Sequence, residues 1–193
     1  MTKGLIIVDV QNDYFPGGSM ELVAMDEAAG CCQQLLQAFR AGQQPVFHIQ
    51  HLSTRPGASF FVPDTPGAEI HHSLQPMAGE PHIVKHFPSA FRGTDLHELL
   101  QLSGIGELVI CGAMTHMCID TTVRAAFDLG YQCRVIADAC ATRDLEFNGR
   151  QIAAPDVQAA FMAALSLPFA QVSSCADYLA TGILNGSGHD ATG

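Results

Sequence analysis

The stretch that most constrains the fold of this chain is residues 108–124, LVICGAMTHMCIDTTVR. Its first four residues are uniformly apolar, which favours a short buried strand, and Gly112 interrupts that strand. Apolar residues then recur every three or four positions, which predicts a helix over 118–129 that ends before Gly130. A strand, a sharp turn and a helix therefore follow one another here, with Cys118 in the first helical turn.

Cys118 is notable because of this position. The first turn of a helix presents free amide N–H groups, and its dipole favours negative charge. We therefore expect a lowered pKa for this thiol and more thiolate near neutral pH, which makes Cys118 a candidate nucleophile. The alternative is that it packs in the core, as free cysteines usually do.

Short apolar segments alternate with helical patterns along the rest of the chain. This alternation is typical of a parallel sheet with helices on both faces. In such sheets ligands bind at the carboxyl ends of the strands. The predicted strands are 5–10, 45–50, 82–84, 108–111, 132–137 and 169–173, and the predicted helices are 26–41, 95–102, 118–129 and 155–165.

Composition narrows the class of protein. Hydrophobic residues make up 48% of the 193 residues and charged ones 15%. These values fit one globular domain over residues 1–180, followed by a flexible polar tail, 181–193. The net charge of −10 argues against nucleic acid and anionic membrane surfaces as partners. No apolar run reaches the length of a membrane span and no signal-peptide pattern is present, so we expect a cytoplasmic protein.

Asp9, Lys85 and Cys118 each lie at or just beyond the carboxyl end of a different predicted strand. Because the carboxyl ends of parallel strands meet at one edge of the sheet, we expect the three side chains to converge. Aspartate is rarely buried alone, and a lysine directly after an apolar strand differs from an ordinary solvated one. The alternatives are a carboxylate that caps a loop and a lysine at the surface.

An acid, a lysine and a cysteine together suffice for acyl transfer to water. Asp9 takes the thiol proton, the Cys118 thiolate attacks a carbonyl carbon, and Lys85 stabilises both negative groups. Backbone N–H groups near Met114 and Cys118 hold the oxyanion, and water then hydrolyses the thioester. This chemistry needs a small-molecule substrate and no cofactor.

Three motifs occur in this order: IIVDVQNDY around Asp9, VKHFPSAF around Lys85 and CGAMTHMCIDTTVRAA around Cys118. With them the chain resembles, over residues 4–178, the isochorismatase-like cysteine hydrolases, a family that includes nicotinamidases and N-carbamoylsarcosine amidase. The resemblance implies an α/β, Rossmann-like three-layer sandwich with a six-stranded, mostly parallel sheet. It also implies an Asp–Lys–Cys triad at these positions, a cis peptide bond before Met114, and an oxyanion hole formed by the amides of Met114 and Cys118. The family commonly forms oligomers, so we expect a homodimer or homotetramer.

One departure from the family concerns metal binding. Nicotinamidases hold a metal through an Asp-x-His motif after the second strand, and here His51 matches but Ile49 replaces the aspartate. We therefore expect no metal, and the loss also disfavours nicotinamide as the substrate. The alternative is a zinc site built on the histidines His48, His51, His71 and His72.

A pocket for the substrate is expected at the same edge of the sheet. The predicted substrate-binding residues are Phe15, Phe60, Phe87, Thr115 and His116. An aromatic pocket with a few polar groups is ordinary for a small ligand. Phe60 belongs to a long irregular segment, residues 51–81, and connections of this length are usually functional. The alternative for each phenylalanine is core packing, and His116 is also a rival base for Cys118.

These residues favour a hydrolase that cleaves a C–N bond in a small amide, ureide or carbamoyl compound through a Cys118 thioester. The resemblance also brings in isochorismatases proper, which cleave a vinyl ether without a cysteine nucleophile. A second alternative is a thiol redox protein in which Cys111 or Cys140 resolves an oxidised Cys118. A third is a ligand-binding protein that keeps the fold and has lost activity.

Overall fold

A six-stranded sheet, parallel throughout, forms the centre of the fold in a computed structural model that describes residues 2–182. The strands are β1 Thr2–Val8, β2 Val46–His51, β3 His82–Lys85, β4 Ile105–Ala113, β5 Gln132–Ala141, β6 Leu145–Phe147, β7 Arg150–Ile152 and β8 Gln171–Ser173. The helices are α1 Met25–Ala41, α2 Leu96–Leu102, α3 Asp120–Asp128, α4 Ala154–Leu165 and α5 Cys175–Gly182. The order in the sheet is β3-β2-β1-β4-β5-β8, and β6 and β7 form a separate hairpin. The predicted α/β, Rossmann-like sandwich with a six-stranded sheet is confirmed.

Both faces of the sheet are covered, which explains why its strands read as continuous apolar runs. Side chains alternate along β1. Leu5 and Ile7 pack in a core cluster with α1 and α5, whereas Ile6 and Val8 pack in a second cluster with α2, α3 and α4. The two central strands, β1 and β4, are therefore buried on both sides. Their carboxyl ends lie in the middle of the sheet edge, called the functional edge, at which the site is predicted.

The end of α1 and the start of α4 carry the expected sequence signals, whereas the helix predicted over 118–129 begins only at Asp120. α1 ends before Gly42, whose N–H donates to the carbonyl of Ala38 and closes the last turn. α4 carries Pro155 in its first turn, where a missing N–H leaves no hydrogen bond unmade. None of the helices within the described residues combines the length and the apolar character that a membrane crossing needs.

Two elements, the β6–β7 hairpin and α5, were not predicted from the sequence. The β6–β7 hairpin turns at Asn148 and Gly149, both with positive φ, which is the residue pair that two-residue hairpins prefer. α5 begins after Ser174, whose Oγ accepts the N–H of Asp177 at 3.1 Å as an N-cap does. Both signals, the Asn-Gly pair and the N-cap serine, are present in the sequence. Of the predicted tail, 181–193, the first two residues end α5 and the rest lie outside the described residues.

Gly112 brings the end of β4 close to the end of β1. Its φ is +120°, and a Cβ built on it would lie 2.0 Å from the carbonyl oxygen of Val8. Val8 directly precedes Asp9. The absence of a side chain at Gly112 therefore sets how closely the two strands approach at the functional edge.

We expect Gly112→Ala to lower the free energy of unfolding by about 3 kcal/mol, because the added methyl strains a positive φ and overlaps a backbone oxygen. Gly130→Ala is the matched control. Its φ is +89°, but a Cβ there meets nothing within 4 Å, so only strain of about 1 kcal/mol is added. Urea denaturation of both variants gives the two values. Equal losses of unfolding free energy in the two variants would show that the close approach to Val8 adds nothing to the cost of the substitution.

Candidate active site

Two strands and one turn deliver buried polar side chains to one edge of the sheet. Asp9 follows the last residue of β1, Lys85 is the last residue of β3, and Cys118 lies in the turn after β4. Lys85 Nζ lies 2.7 Å from Asp9 Oδ2 and 3.2 Å from Cys118 Sγ. Asp9 and Lys85 are 0% exposed and Cys118 is 6% exposed. The predicted convergence of the three side chains is confirmed.

The length of the lysine side chain permits this contact. β2 lies between β3 and β1 in the sheet, and neighbouring strands are about 4.8 Å apart. Lys85 must therefore extend its flexible stem across β2 to reach Asp9. A shorter cation at this position would leave the buried carboxylate unpaired.

The ammonium of Lys85 has a third acceptor, which the sequence analysis does not predict. His51 Nδ1 lies 2.8 Å from Lys85 Nζ. A lysine ammonium has three N–H donors, and here they meet three acceptors, on Asp9, His51 and Cys118. These four residues are called the Lys85 cluster, because one buried cation holds them together.

The protonation states of the two bases in the cluster follow from their neighbours. Burial alone lowers the pKa of Lys85, but the Asp9 carboxylate and then the Cys118 sulfur outweigh it, so that pKa lies above its ordinary value. Burial and then the charge of Lys85 lower the pKa of His51 to about 4. The imidazole is therefore neutral near pH 7, and its Nδ1 accepts the hydrogen bond from the ammonium.

The prediction of a lowered pKa for Cys118 is wrong. Burial disfavours the thiolate and the Asp9 carboxylate repels it, and together they outweigh the attraction of Lys85, so the pKa of Cys118 is raised. Cys118 does not lie in the first turn of α3, as expected, but in a π-helical turn, Thr115–Ile119, ahead of that helix. The resting side chain is a protonated thiol, which needs a base before it can attack.

Asp9 is placed to be that base. Its carboxylate pairs with Lys85 and interacts with the Cys118 thiol, and it accepts no other hydrogen bond in the described chain. One of its oxygens lies within 4.8 Å of Cys118 Sγ. The backbone N–H of Asp9 donates to the carbonyl of Ile49 at 3.0 Å, which ties the backbone of Asp9 to β2. The carboxylate therefore keeps a free lone pair next to the thiol.

The turn that holds Cys118 carries the two backbone amides predicted for the oxyanion hole. The peptide bond between Ala113 and Met114 is cis, as the resemblance implies. The N–H groups of Met117 and Ile119 donate to the Met114 carbonyl, but the Cys118 N–H between them does not. The Met114 N–H donates to no backbone carbonyl of the part of the chain described. Met114 and Cys118 both line a cavity, so the oxyanion hole predicted for their amides stays a prediction with a suitable position.

Gln11 clamps the end of β2, a role that the sequence analysis misses by treating this residue as part of a loop. Its Oε1 accepts the His51 N–H at 2.7 Å, and its Nε2 donates to the His51 carbonyl at 2.9 Å. The same Nε2 donates to the carbonyl of Ala68 at 2.8 Å. Gln11 is fully buried. One side chain thus fixes the backbone of His51 and, through it, the third acceptor of Lys85.

A cavity of about 280 Å³ opens beside the Lys85 cluster, with Cys118 and His51 in its wall. Of the five predicted substrate-binding residues, Phe60 lines this cavity. Phe61, which the sequence also suggests for the pocket, lines it as well, and so does Tyr14, which was not predicted. The remaining wall consists of residues 53–59 together with His86, Pro88, Met114 and Met117.

Two of the predicted phenylalanines have other partners. Phe15 is buried and stacks on the ring of His71, with the ring centroids 3.8 Å apart. Phe87 lies under the guanidinium of Arg92, 3.7 Å from the ring centroid. Neither lines the cavity, so the substrate contacts predicted for them find no support there.

Thr115 and His116 contact the end of β5 and the residue after it. Thr115 Oγ1 donates to the carbonyl of Ala141 at 3.2 Å, and His116 Nδ1 lies 2.6 Å from Thr142 Oγ1. Neither residue lines the cavity. Their predicted substrate contacts also find no support, and the carboxylate of Asp9 lies within 4.8 Å of the Cys118 thiol.

The four histidines of the alternative zinc site do not form one cluster in the described chain, although the ring centroids of His71 and His72 lie 4.1 Å apart. His48 Nε2 lies 2.8 Å from Glu80 Oε2, and His71 Nδ1 lies 2.8 Å from Ser73 Oγ. His48 has a pKa lowered chiefly by burial. These contacts give the two histidines separate partners on different parts of the segment after β2.

One set of side chains in residues 2–182 does have ligand atoms close enough for a metal: Asp9, His51 and Cys118, within 4.8 Å of one another. The Lys85 ammonium lies 2.7, 2.8 and 3.2 Å from these three groups, in the space that a shared cation would take. Two positive charges at such a distance repel strongly. The residues present therefore do not fit a metal in addition to the lysine.

Comparison with known proteins agrees with this geometry. Residues 3–177 match the family model of the Isochorismatase domain. The chain belongs to the isochorismatase family. It is 48% identical to the uncharacterized isochorismatase family protein YddQ of Bacillus subtilis, over 93% of this chain and 99% of that protein. A crystal structure from Oleispira antarctica, assigned to the isochorismatase hydrolases, matches with a TM-score of 0.90 and 48% identity over 93% of this chain and 96% of that one.

Some members of the isochorismatase family that are similar to this chain are named for a substrate. Streptothricin hydrolase from Streptomyces noursei is 34% identical over 85% of this chain and 56% of that enzyme. Nicotinamidase from Escherichia coli is 28% identical over 72% of this chain and 82% of that enzyme. The predicted family is therefore confirmed, and it is a family of hydrolases with amidases among its members.

We expect the free energy of unfolding to fall as the pH drops from 6.5 toward 4, since the unfolded chain binds a proton at His51 that the folded chain does not bind. A pKa lowered from 6.5 to about 4 corresponds to a loss of at most about 3 kcal/mol. The contribution of His51 to the free energy of unfolding is fully present above pH 6.5 and is completely lost below pH 4. Urea denaturation across this range measures the slope.

The comparison is between wild type and His51→Gln, in which the portion of the slope due to His51 disappears. His72→Gln is the control, because this histidine is exposed and lies outside the Lys85 cluster. An unchanged slope in His51→Gln would contradict a neutral His51 in the Lys85 cluster.

Proposed function

We propose that this chain hydrolyses a C–N bond of a small amide, ureide or carbamoyl compound through a thioester on Cys118. One observation supports the proposal above all: a buried thiol lies beside a carboxylate with a free lone pair and a lysine whose charge is fixed. The thiol faces a cavity of about 280 Å³, a size suited to a small molecule. Acid–base group, nucleophile and binding space thus meet at the carboxyl edge of the sheet.

In the first half-reaction the Cys118 thiol gives its proton to Asp9 while its sulfur attacks the carbonyl carbon. Because the pKa of the thiol is raised, the thiolate forms only as attack proceeds. Lys85, 3.2 Å from Sγ, stabilises the negative sulfur. The amides of Met114 and Cys118 hold the oxyanion. Protonated Asp9 then gives its proton to the leaving nitrogen, and the C–N bond breaks.

In the second half-reaction water cleaves the thioester. Asp9 takes a proton from the water as its oxygen attacks the acyl carbon. The C–S bond breaks, and the Cys118 sulfur recovers the proton from Asp9. Lys85 stays protonated throughout, in keeping with its raised pKa. Each residue ends in the state in which it began.

The redox alternative has less support. Cys111 and Cys140, the predicted resolving thiols, are buried in β4 and β5, and no hydrogen bond joins either to Cys118 in the described chain. A redox-sensing thiol needs thiolate character and exposure. Cys118 is buried and has a raised pKa, so it has neither. A vinyl ether hydrolase, in turn, would leave the cysteine without a role.

We expect Cys118→Ser to lower kcat/KM by at least about 10³-fold, because a serine hydroxyl beside Asp9 is a far weaker nucleophile than the thiol. Ammonia release from a panel of amides, ureides and carbamoyl amines measures the rate. Hydroxylamine quenching and intact mass spectrometry detect the acyl group on the wild-type protein. Cys31→Ser, at a half-buried thiol outside the cavity, is the control and retains the wild-type rate. Undiminished turnover by Cys118→Ser would end the thioester mechanism.

Asp9→Asn separates the two influences of the carboxylate on the thiol. We expect kcat/KM to fall by about 10²- to 10⁴-fold, because the proton acceptor is lost. The pH midpoint of Cys118 alkylation by iodoacetamide should move down, because the charge that repels the thiolate is lost while Lys85 remains. Asp26→Asn, at the exposed start of α1, is the control. A midpoint that moves up would show that Asp9 does not repel the thiolate.

A further inference from the structure

Residues 53–61, called the cavity loop, have both ends tied to the body of the fold. The Ser53 N–H donates to the carbonyl of Phe61 at 2.8 Å. The Phe61 N–H donates to Oδ2 of the buried Asp13 at 2.6 Å. The cavity loop is therefore closed at its base, and its tip projects along the cavity wall.

A tight turn at the tip of the cavity loop presents Arg55. The Arg55 carbonyl accepts the N–H of Ala58 at 3.2 Å, and Gly57 has a φ of +75°. Proline in the second position and a residue with positive φ in the third are the signature of a type II turn, and here they are Pro56 and Gly57. Pro56 restricts the backbone, Gly57 permits the positive φ that the turn needs, and the hydrogen bond closes the turn, so the backbone of the exposed Arg55 has a defined place on the wall.

The charge of Arg55 stands alone on this wall. Among the residues that line the cavity, Arg55 is the one arginine or lysine, and none is an aspartate or a glutamate. Its guanidinium forms no ion pair with any residue between 2 and 182. The charge of Lys85 is balanced by Asp9 at 2.7 Å. A ligand therefore meets an uncompensated positive charge, although the whole chain has a net charge of −10.

The charge of Arg55 acts on the Lys85 cluster. It is one of the charges that lower the pKa of His51, after burial, Lys85 and His86. His51 contacts Lys85, which contacts Cys118. Arg55 and Cys118 line the same cavity.

We propose that the substrate has a carboxylate in addition to the scissile C–N bond, and that Arg55 binds this carboxylate while Cys118 attacks. Arginine pairs with carboxylates through two parallel N–H···O hydrogen bonds, which give orientation as well as affinity. The hydroxyl-bearing Thr54 and Ser59 lie on the same wall. The substrate class is then that of small ureido acids and acid amides. This inference rests on the proposed function and adds the substrate class to it.

The test uses pairs of ligands that differ in charge: N-carbamoylglycine and N-carbamoyl-β-alanine, each against its neutral methyl ester. Binding is read as protection of Cys118 from iodoacetamide, followed by mass spectrometry, so no turnover is needed. The proteins are wild type, Arg55→Gln, Arg55→Lys and Arg92→Gln. Arg92 is the matched control, because it is an exposed arginine that lies on Phe87, outside the cavity.

We expect at least one acid to protect wild-type Cys118 at a concentration about tenfold lower than its ester does. Arg55→Gln should abolish this preference, Arg55→Lys should keep part of it, and Arg92→Gln should keep all of it. Equal protection by acids and esters in the wild type would overturn the inference, as would protection by neither. A preference that survives in Arg55→Gln would also overturn it.

Ammonia release from the same ligands separates this inference from the proposed function. If the acids protect preferentially but no ligand loses ammonia and no acyl group forms on Cys118, the proposed function fails and the role of Arg55 stands. If the esters are hydrolysed as fast as the acids, in wild type and in Arg55→Gln alike, the proposed function stands and the role of Arg55 fails.

Discussion

The buried ammonium of Lys85 is the interaction on which the site depends. Taking one such charge out of water costs several kcal/mol, and the cost is offset only where the surroundings supply acceptors for its N–H groups. Asp9, His51 and Cys118 do so at 2.7, 2.8 and 3.2 Å. Replacing any one of them leaves the buried cation short of a partner. Asp9, Cys118 and the neutral imidazole of His51 therefore hold their positions as one unit around the lysine.

The same cation explains how a thiol with a raised pKa can still react. Before attack the cluster contains an ionised Asp9, a charged Lys85 and a neutral Cys118. After the proton moves, it contains a neutral Asp9, the same lysine charge and a negative sulfur. The net charge of the buried cluster does not change, so low-dielectric surroundings oppose this transfer far less than they oppose loss of the proton to solvent. For this reason the Cys118 thiol can be protonated at rest and still form a thiolate during the proposed reaction.

The sequence predicts the sheet and the convergence of the triad because both depend on local patterns. Apolar runs fix the strands, and the rule that ligands bind at the carboxyl edge of a parallel sheet brings Asp9, Lys85 and Cys118 together. The cavity wall depends instead on contacts between distant segments. Nothing near Tyr14 in the sequence shows that it, rather than Phe15, faces the cavity. The direction of the Cys118 pKa shift could not be predicted from the sequence either, because it depends on burial and on the distance to Asp9 and not on the helix start alone.

The loop that follows β1 links the chemistry of the site to the shape of its cavity. Gln11 bonds the backbone of His51 and the carbonyl of Ala68, and Asp13 accepts the backbone N–H of Phe61. The partners are all backbone groups, at the end of β2 and in the segment after it, so these hydrogen bonds hold the path of that segment whatever side chains it presents. The wall can therefore change its side chains, Arg55 among them, without displacing Asp9, which lies two residues before Gln11. In the proposed reaction this short motif holds the reacting groups in place, and the cavity loop selects the molecule that undergoes the reaction.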